Sequence, residues 1–166
     1  MRKNISTILI ITAIAVISSC TGNKVYDKYQ HTPVSGWEKN DTLKFEVPKM
    51  NTEGVFAANL GLRINSSYPF MGLTLIVDQT VFPSHITKSD TINCQLIDKN
   101  GNSKGLGISY YQYNFNIDKV SLNKGDSLVV SIRHNMIARF RSGFHTFRDN
   151  ARCVLLLILP TSVLGS

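Results

Sequence analysis

The 166-residue sequence predicts an all-β fold, an antiparallel, jelly-roll-like β-sandwich of about eight strands. Apolar and polar residues alternate in short runs, the period of a strand with one face in a core. Turn-forming residues separate those runs, and almost no apolar segment is long enough for a helix.

In chain order, Leu43, Phe45 and Val47 alternate with Lys44 and Glu46, and Phe56, Ala58, Leu60, Leu62 and Ile64 keep one parity through the next segment. After Tyr68-Pro69, the residues from Gly72 to Val77 read as a strand, Pro83 to Lys88 as a loop, and Thr91 to Ile97 as a fourth strand. Asp98-Lys99-Asn100-Gly101 is the clearest turn, because Asn-Gly tolerates the positive φ that tight turns demand. Ile108 to Tyr113, then Phe115 and Ile117, continue the pattern. Asn123-Lys124-Gly125-Asp126 turns the chain into a strand on which Leu128, Val130, Ile132 and His134 share one face. Cys153 to Leu159 is a continuous apolar run before Pro160, as expected of a strand covered on both sides.

The start of the chain is of another kind. Arg2 and Lys3 precede an apolar run from Ile8 to Ile17 and then small residues, the order of a secretory leader. That run is about half the roughly 20 residues a spanning helix needs. Ile17-Ser18-Ser19-Cys20 resembles a lipobox, so cleavage before Cys20 and acylation of its thiol are expected. A single acyl chain anchors only marginally and several anchor stably. The expected organisation is a signal peptide over 1–19, a lipidated cysteine and flexible tether over 20–36, the sandwich over 37–160 and a tail over 161–166. Thr21 is not the aspartate that retains enteric lipoproteins on the inner membrane, and no acidic cluster follows Cys20. The expected location is therefore the cell envelope, on the outer membrane facing the periplasm.

Loss of Arg2 and Lys3 takes the net charge from +7 to +5. The lysines are scattered at strand ends and turns, as on a solvated surface, and nucleic acid is not an expected partner. Cys94 shares the parity of Ile92 and Leu96, so Cys94 and Cys153 read as buried free thiols, since a bridge needs Cα atoms within about 7 Å. Two cysteines without clustered histidines make no zinc site. His31, His85, His134 and His145 sit in four unrelated contexts, and Asp126 and Ser127 are held from His134 by a strand rising about 3.3 Å per residue. No catalytic residue, metal or cofactor is expected.

Arg63 points away from the face made by Leu60 and Leu62, and with Tyr68 and Phe70 it is a candidate partner-binding group. A rival reading takes Trp37 with Tyr110, Tyr111, Tyr113 and Phe115 as a stacking platform for sugars, although Tyr111, Tyr113 and Phe115 share one parity as core residues would. Thr42, Thr91 and Ser127 each follow an aspartate and precede an aliphatic residue, resembling the O-glycosylation motif of exported Bacteroides proteins. All three also fall where a turn enters a strand, where Asp, Ser and Thr are expected anyway.

An ordered set of segments is similar to the GldH family, the gliding-motility lipoproteins of Bacteroidetes. It comprises the lipobox cysteine with Val25-Tyr26-Asp27-Lys28-Tyr29, Gly36-Trp37-Glu38-Lys39-Asn40-Asp41-Thr42-Leu43-Lys44-Phe45, and Leu62-Arg63-Ile64-Asn65 with Tyr68-Pro69-Phe70. Leu96-Ile97-Asp98-Lys99-Asn100-Gly101 with Gly105-Leu106-Gly107 follows, then Arg133-His134-Asn135-Met136. The resemblance implies a non-catalytic, lipid-anchored accessory protein that makes protein contacts in the machinery for gliding and the associated type IX secretion. Past Met136 the chain departs from the family pattern: Ile137 to Phe144 stands in place of a Leu-Pro-Gly-Ile-like turn, and the strongly basic residues are all arginines.

Overall fold

The computed structural model describes residues 24–32, 37–38, 41–66, 68 and 71–135, with the backbone alone for Lys24 and 152–158. The leader, Cys20, Phe70, His145, the segment from Met136 to Ala151 and the tail over 161–166 lie outside the described residues.

These residues form nine strands: β1 (Lys24–His31), β2 (Leu43–Val47), β3 (Gly54–Asn65), β4 (Gly72–Phe82), β5 (Ile86–Gln95), β6 (Leu106–Gly107), β7 (Tyr110–Leu122), β8 (Ser127–His134) and β9 (Arg152–Ile158). One sheet has the order β1-β9-β3-β7-β6 and the other β2-β8-β4-β5, with every pairing antiparallel. The pairs are nested: β4 with β5, β3 with β7, β2 with β8 and β1 with β9. Successive pairs belong to alternate sheets, so the described strands are ordered as one long hairpin rolled into a two-layer sandwich. That is the jelly roll the alternation predicts, with β6 as an additional two-residue edge.

The parity read from sequence is the parity of the core. Leu43, Phe45 and Val47 on β2 turn inward, as do Phe56, Ala58, Leu60, Leu62 and Ile64 on β3. Leu128, Val130, Ile132 and His134 on β8 do the same, and Leu73, Leu75 and Val77 of β4 complete the opposing layer. Each fully buried aliphatic or phenylalanine side chain contributes about 1.5–3 kcal/mol, so the two inner faces supply most of the driving force for folding. Cys94 is buried and free on β5, and burial pushes its thiol up to about 12, leaving no thiolate near neutral pH. Cys153 belongs to the other sheet, opposite Leu62 of β3 and Gln30 of β1.

Three boundaries differ from the sequence reading. β1 occupies Lys24–His31, inside the stretch read as tether. It is an edge strand exposed over most of its length, so no alternation marks it, and its pairing with β9 is what makes it a strand. β5 begins at Ile86, which shortens the loop read over Pro83 to Lys88 to a three-residue turn, 83–85. Its first four residues, Ile86 to Ser89, are all exposed, which hid the strand from the hydrophobic pattern. β6 escaped notice because two residues carry no period.

The register gives the sandwich two distinct ends. Lys24 opens β1 level with Ile158 and Ala57, and the same end carries the β2–β3 loop, the β4–β5 turn and the β7–β8 turn. The two loops there clasp each other, with Met50 N–H donating to the Asp126 carbonyl at 2.8 Å and Gly125 N–H to the Met50 carbonyl at 2.9 Å. The opposite, far end is reached by His31, Asn65, Gly72, Gln95, Tyr110 and His134. Ala57 to Asn65 spans about 26 Å at roughly 3.3 Å per residue along β3.

Candidate functional site

Four of the eight large apolar side chains exposed among the described residues, Met71, Leu106, Ile108 and Tyr110, gather at the far end. A cleft of about 190 Å³ opens there between the sheets, walled by Ile64, Tyr68, Leu96, Ile97, Tyr111 and Tyr113. Its loops are tied down from several sides. Tyr113 O–H and Ser103 Oγ are 2.9 Å apart, Ser103 Oγ accepts Gly105 N–H at 3.1 Å, and Tyr68 O–H donates to the Gly72 carbonyl at 3.2 Å. Ser66 N–H donates to the Ser109 carbonyl at 3.0 Å, which fastens the β6–β7 hairpin to the β3–β4 loop. Asp98 caps its own turn through the amides of Asn100 and Asn102, each 2.8 Å from one carboxylate oxygen. The Asn102 amide in particular holds that carboxyl below the usual carboxylate range.

The hairpin that closes the cleft displays two aliphatic side chains to solvent. Leu106 is 82% exposed and Ile108 89%. The two glycines flanking Leu106 explain how. A Cβ on Gly105 would lie 2.7 Å from the Tyr113 ring, and one on Gly107, where φ is +146°, would lie 1.9 Å from the Tyr110 carbonyl oxygen. The backbone of 105–107 is therefore laid directly on the tyrosines, and Leu106 has nowhere to turn but outward. Exposed Met71 and Tyr110 extend the same apolar rim, and the Arg63 guanidinium lies over the Tyr110 ring at 5.2 Å. Replacing Gly107 with alanine should strain the hairpin by on the order of 2 kcal/mol. Hydrogen exchange should show protection lost at whichever of the Tyr111 and Gln112 amides faces β6, with the β3-facing amide and the rest of the domain unchanged.

The sequence-derived candidates separate in this setting. Arg63 is exposed on the outer face of β3, whereas Tyr68 is buried in the cleft wall, so the two do not form one surface; Phe70 lies outside the described residues. The sugar platform is not assembled. Trp37 is 1% exposed, donates its indole N–H to the Asp41 carbonyl at 2.9 Å, and meets the ring of buried His134 edge-on at 5.4 Å. Tyr113 is buried, Tyr111 and Phe115 pack partly against the core, and Tyr110 alone of that group is exposed. A two-residue period fixed their common face but could not say which side of the sheet it was. Thr42 and Thr91 are exposed and Ser127 is half-buried.

The titratable groups are dispersed. His134 is committed to the Trp37 carbonyl at 2.9 Å, Asp126 and Ser127 sit at the opposite end of β8 from it, and His85 lies in the β4–β5 turn. Sequence reasoning missed Met71, Leu106 and Ile108; the glycine-leucine-glycine spacing was the available signal for a displayed side chain.

Comparison with known proteins agrees with the resemblance of the segments. The model of the GldH lipoprotein family matches residues 24–141. The chain is 34% identical over 109 residues to the gliding motility lipoprotein GldH of Flavobacterium johnsoniae, covering 66% of this chain and 67% of that one. It is 30% identical over 107 residues to a GldH homolog of Christiangramia forsetii, covering 64% of each chain. Among solved structures, dimeric latent PorU of Porphyromonas gingivalis is similar at 12% identity and a TM-score of 0.36, over 85% of this chain and 13% of that one, a likeness too slight to bear on function. With a family model spanning most of the described sandwich and two named relatives at this identity, the chain belongs to the GldH lipoprotein family.

Proposed function

We propose that this protein is a non-catalytic accessory lipoprotein of the cell envelope, held on a membrane by acyl chains on Cys20. It acts through protein contacts in the machinery of gliding and the associated type IX secretion, from the outer membrane and facing the periplasm. The observation that carries the reading is the far end. Large apolar side chains stand in solvent there on a hairpin laid against Tyr110 and Tyr113 and held by the Ser103 and Ser109 hydrogen bonds, at the end opposite Lys24, where β1 begins. Exposed apolar patches of that kind mark protein contacts. A pre-ordered hairpin also loses little entropy on binding. Arg63 flanks the patch and is the candidate contact among the residues read from sequence; Tyr68 would act by supporting the cleft wall.

The test is crosslinking in living cells from a photoreactive phenylalanine analogue in place of Ile108, with the same analogue in place of Thr87 on the outer face near the other end. Capture of gliding or secretion components from position 108 and not from 87 is expected. Equal capture from both positions, or capture of glycan-uptake proteins from 108, would overturn the proposal.

A further inference from the structure

We infer that the near end of the sandwich rests on a phospholipid bilayer, with the β4–β5 turn dipping into the headgroup layer as a second contact beside the acylated cysteine. The inference rests on the reading that Cys20 carries the lipid. Only three residues, Thr21, Gly22 and Asn23, separate Cys20 from Lys24, where β1 begins, which makes four Cα-to-Cα steps. Fully extended, they reach about 14 Å at most. A longer tether would let the domain swing clear; one this short keeps the near end at the membrane surface.

The near end also has the chemistry for such a surface. Ile86 is 67% exposed, and Pro83, Ser84 and His85 beside it are exposed as well. The rings of Phe82 and His85 meet edge-to-face at 4.7 Å, giving the turn a compact apolar body. From Val81 to Thr87 there is no lysine, arginine, aspartate or glutamate. Lys88, at its foot, is paired with Asp118 of β7 at 2.7 Å, so that charge is turned back towards the protein. Lys49 and Lys124 are exposed in the two loops of the same end, which also carry Glu53 and Asp126, the latter engaged by the Asn123 amide; headgroup phosphates are the expected partners of the two lysines.

The position of the turn matters as much as its composition. β1 is one edge of its sheet and lies against β2, whereas β5 is the opposite edge of the other sheet and lies against β7. The turn is thus at the corner diagonal to the anchor, about three strand spacings or roughly 14 Å across. A single tether fixes a point and leaves the tilt open. A second contact at the diagonal corner fixes the tilt, and it can be weak because the anchor already confines it to the surface. The consequence is a sandwich standing upright, with Leu106 and Ile108 presented away from the membrane.

Trp37 is the only tryptophan of the chain and is buried at the far end, which makes it an internal control. The full-length lipidated protein carrying Ile86→Trp would be reconstituted in phosphatidylethanolamine and phosphatidylglycerol vesicles with and without brominated acyl chains. Loss of emission in the brominated vesicles is expected for Ile86→Trp, and none for the wild type or for Leu106→Trp. If Ile86→Trp is quenched no more than Leu106→Trp while the protein floats with the vesicles, the second contact is refuted and the anchor stands. If the protein does not float at all, the anchor is refuted and the inference with it.

Discussion

Replacing Cys20 with alanine is expected to abolish acylation, so that the lipidated mature species disappears and the protein no longer partitions into detergent as the wild type does. The magnitude follows from hydrocarbon burial: one acyl chain binds a bilayer at about 10⁴ M⁻¹, and two or more make the attachment stable. Loss of every chain therefore removes several orders of magnitude of partitioning. Retention of the leader is the companion expectation, since the substitution alters the cut site itself; its apolar run, Ile8 to Ile17, is about half the length of a spanning helix and does not replace the acyl chains as an anchor. Intact mass and phase partitioning would read both effects. A Cys20→Ala protein with wild-type processing and unchanged tethering would remove the basis for the envelope location and for the orientation inferred from it.

Phe45→Ala is expected to destabilise the domain by about 3–5 kcal/mol, the cost of an aromatic-sized cavity in a packed core. Phe45 is fully buried at the centre of β2, a five-residue edge strand that pairs with β8 alone. The neighbours that would have to collapse into the space lie on two sheets whose separation is fixed by the rest of the core, so little relaxation is available. Against a total stability of about 5–15 kcal/mol the loss is large, and it should appear as a lower urea midpoint at an unchanged slope. Lys44→Ala, one residue away on the outer face, should stay within about 0.5 kcal/mol. Equal costs at the two positions would mean that the facing of β2 is not as described.

That contrast between neighbours is legible in the residue order alone. Leu43, Phe45 and Val47, the five apolar residues of β3 and the inward set of β8 follow from parity, because a strand with one buried face must place its apolar residues two apart. β1 shows where the same logic stops. Lys24–His31 has polar residues at both parities, and it becomes a strand through backbone pairing with residues more than 120 positions later. The candidate site is less legible still. Trp37 could stand on a surface or in a core, and what decides is that His134 and the Asp41 carbonyl surround it. Leu106 lies in no apolar period that would give it a face, and the approach of Gly105 to Tyr113 and of Gly107 to Tyr110 is what turns it into water.

The amino-acid order by itself determined the two-residue period, the inward parity of most strands, the turns at Asp98–Gly101 and Asn123–Asp126, and the family, because each is written within a few adjacent residues or within an ordered set of short segments. Only the tertiary structure decided which strands pair and from which end of the sandwich β1 starts. It also decided which apolar residues are left in solvent, because the nesting of β1 with β9 around the inner pairs depends on contacts between residues far apart in the chain. Local chemistry sets the direction of a side chain relative to its strand, and global packing sets what that side chain meets.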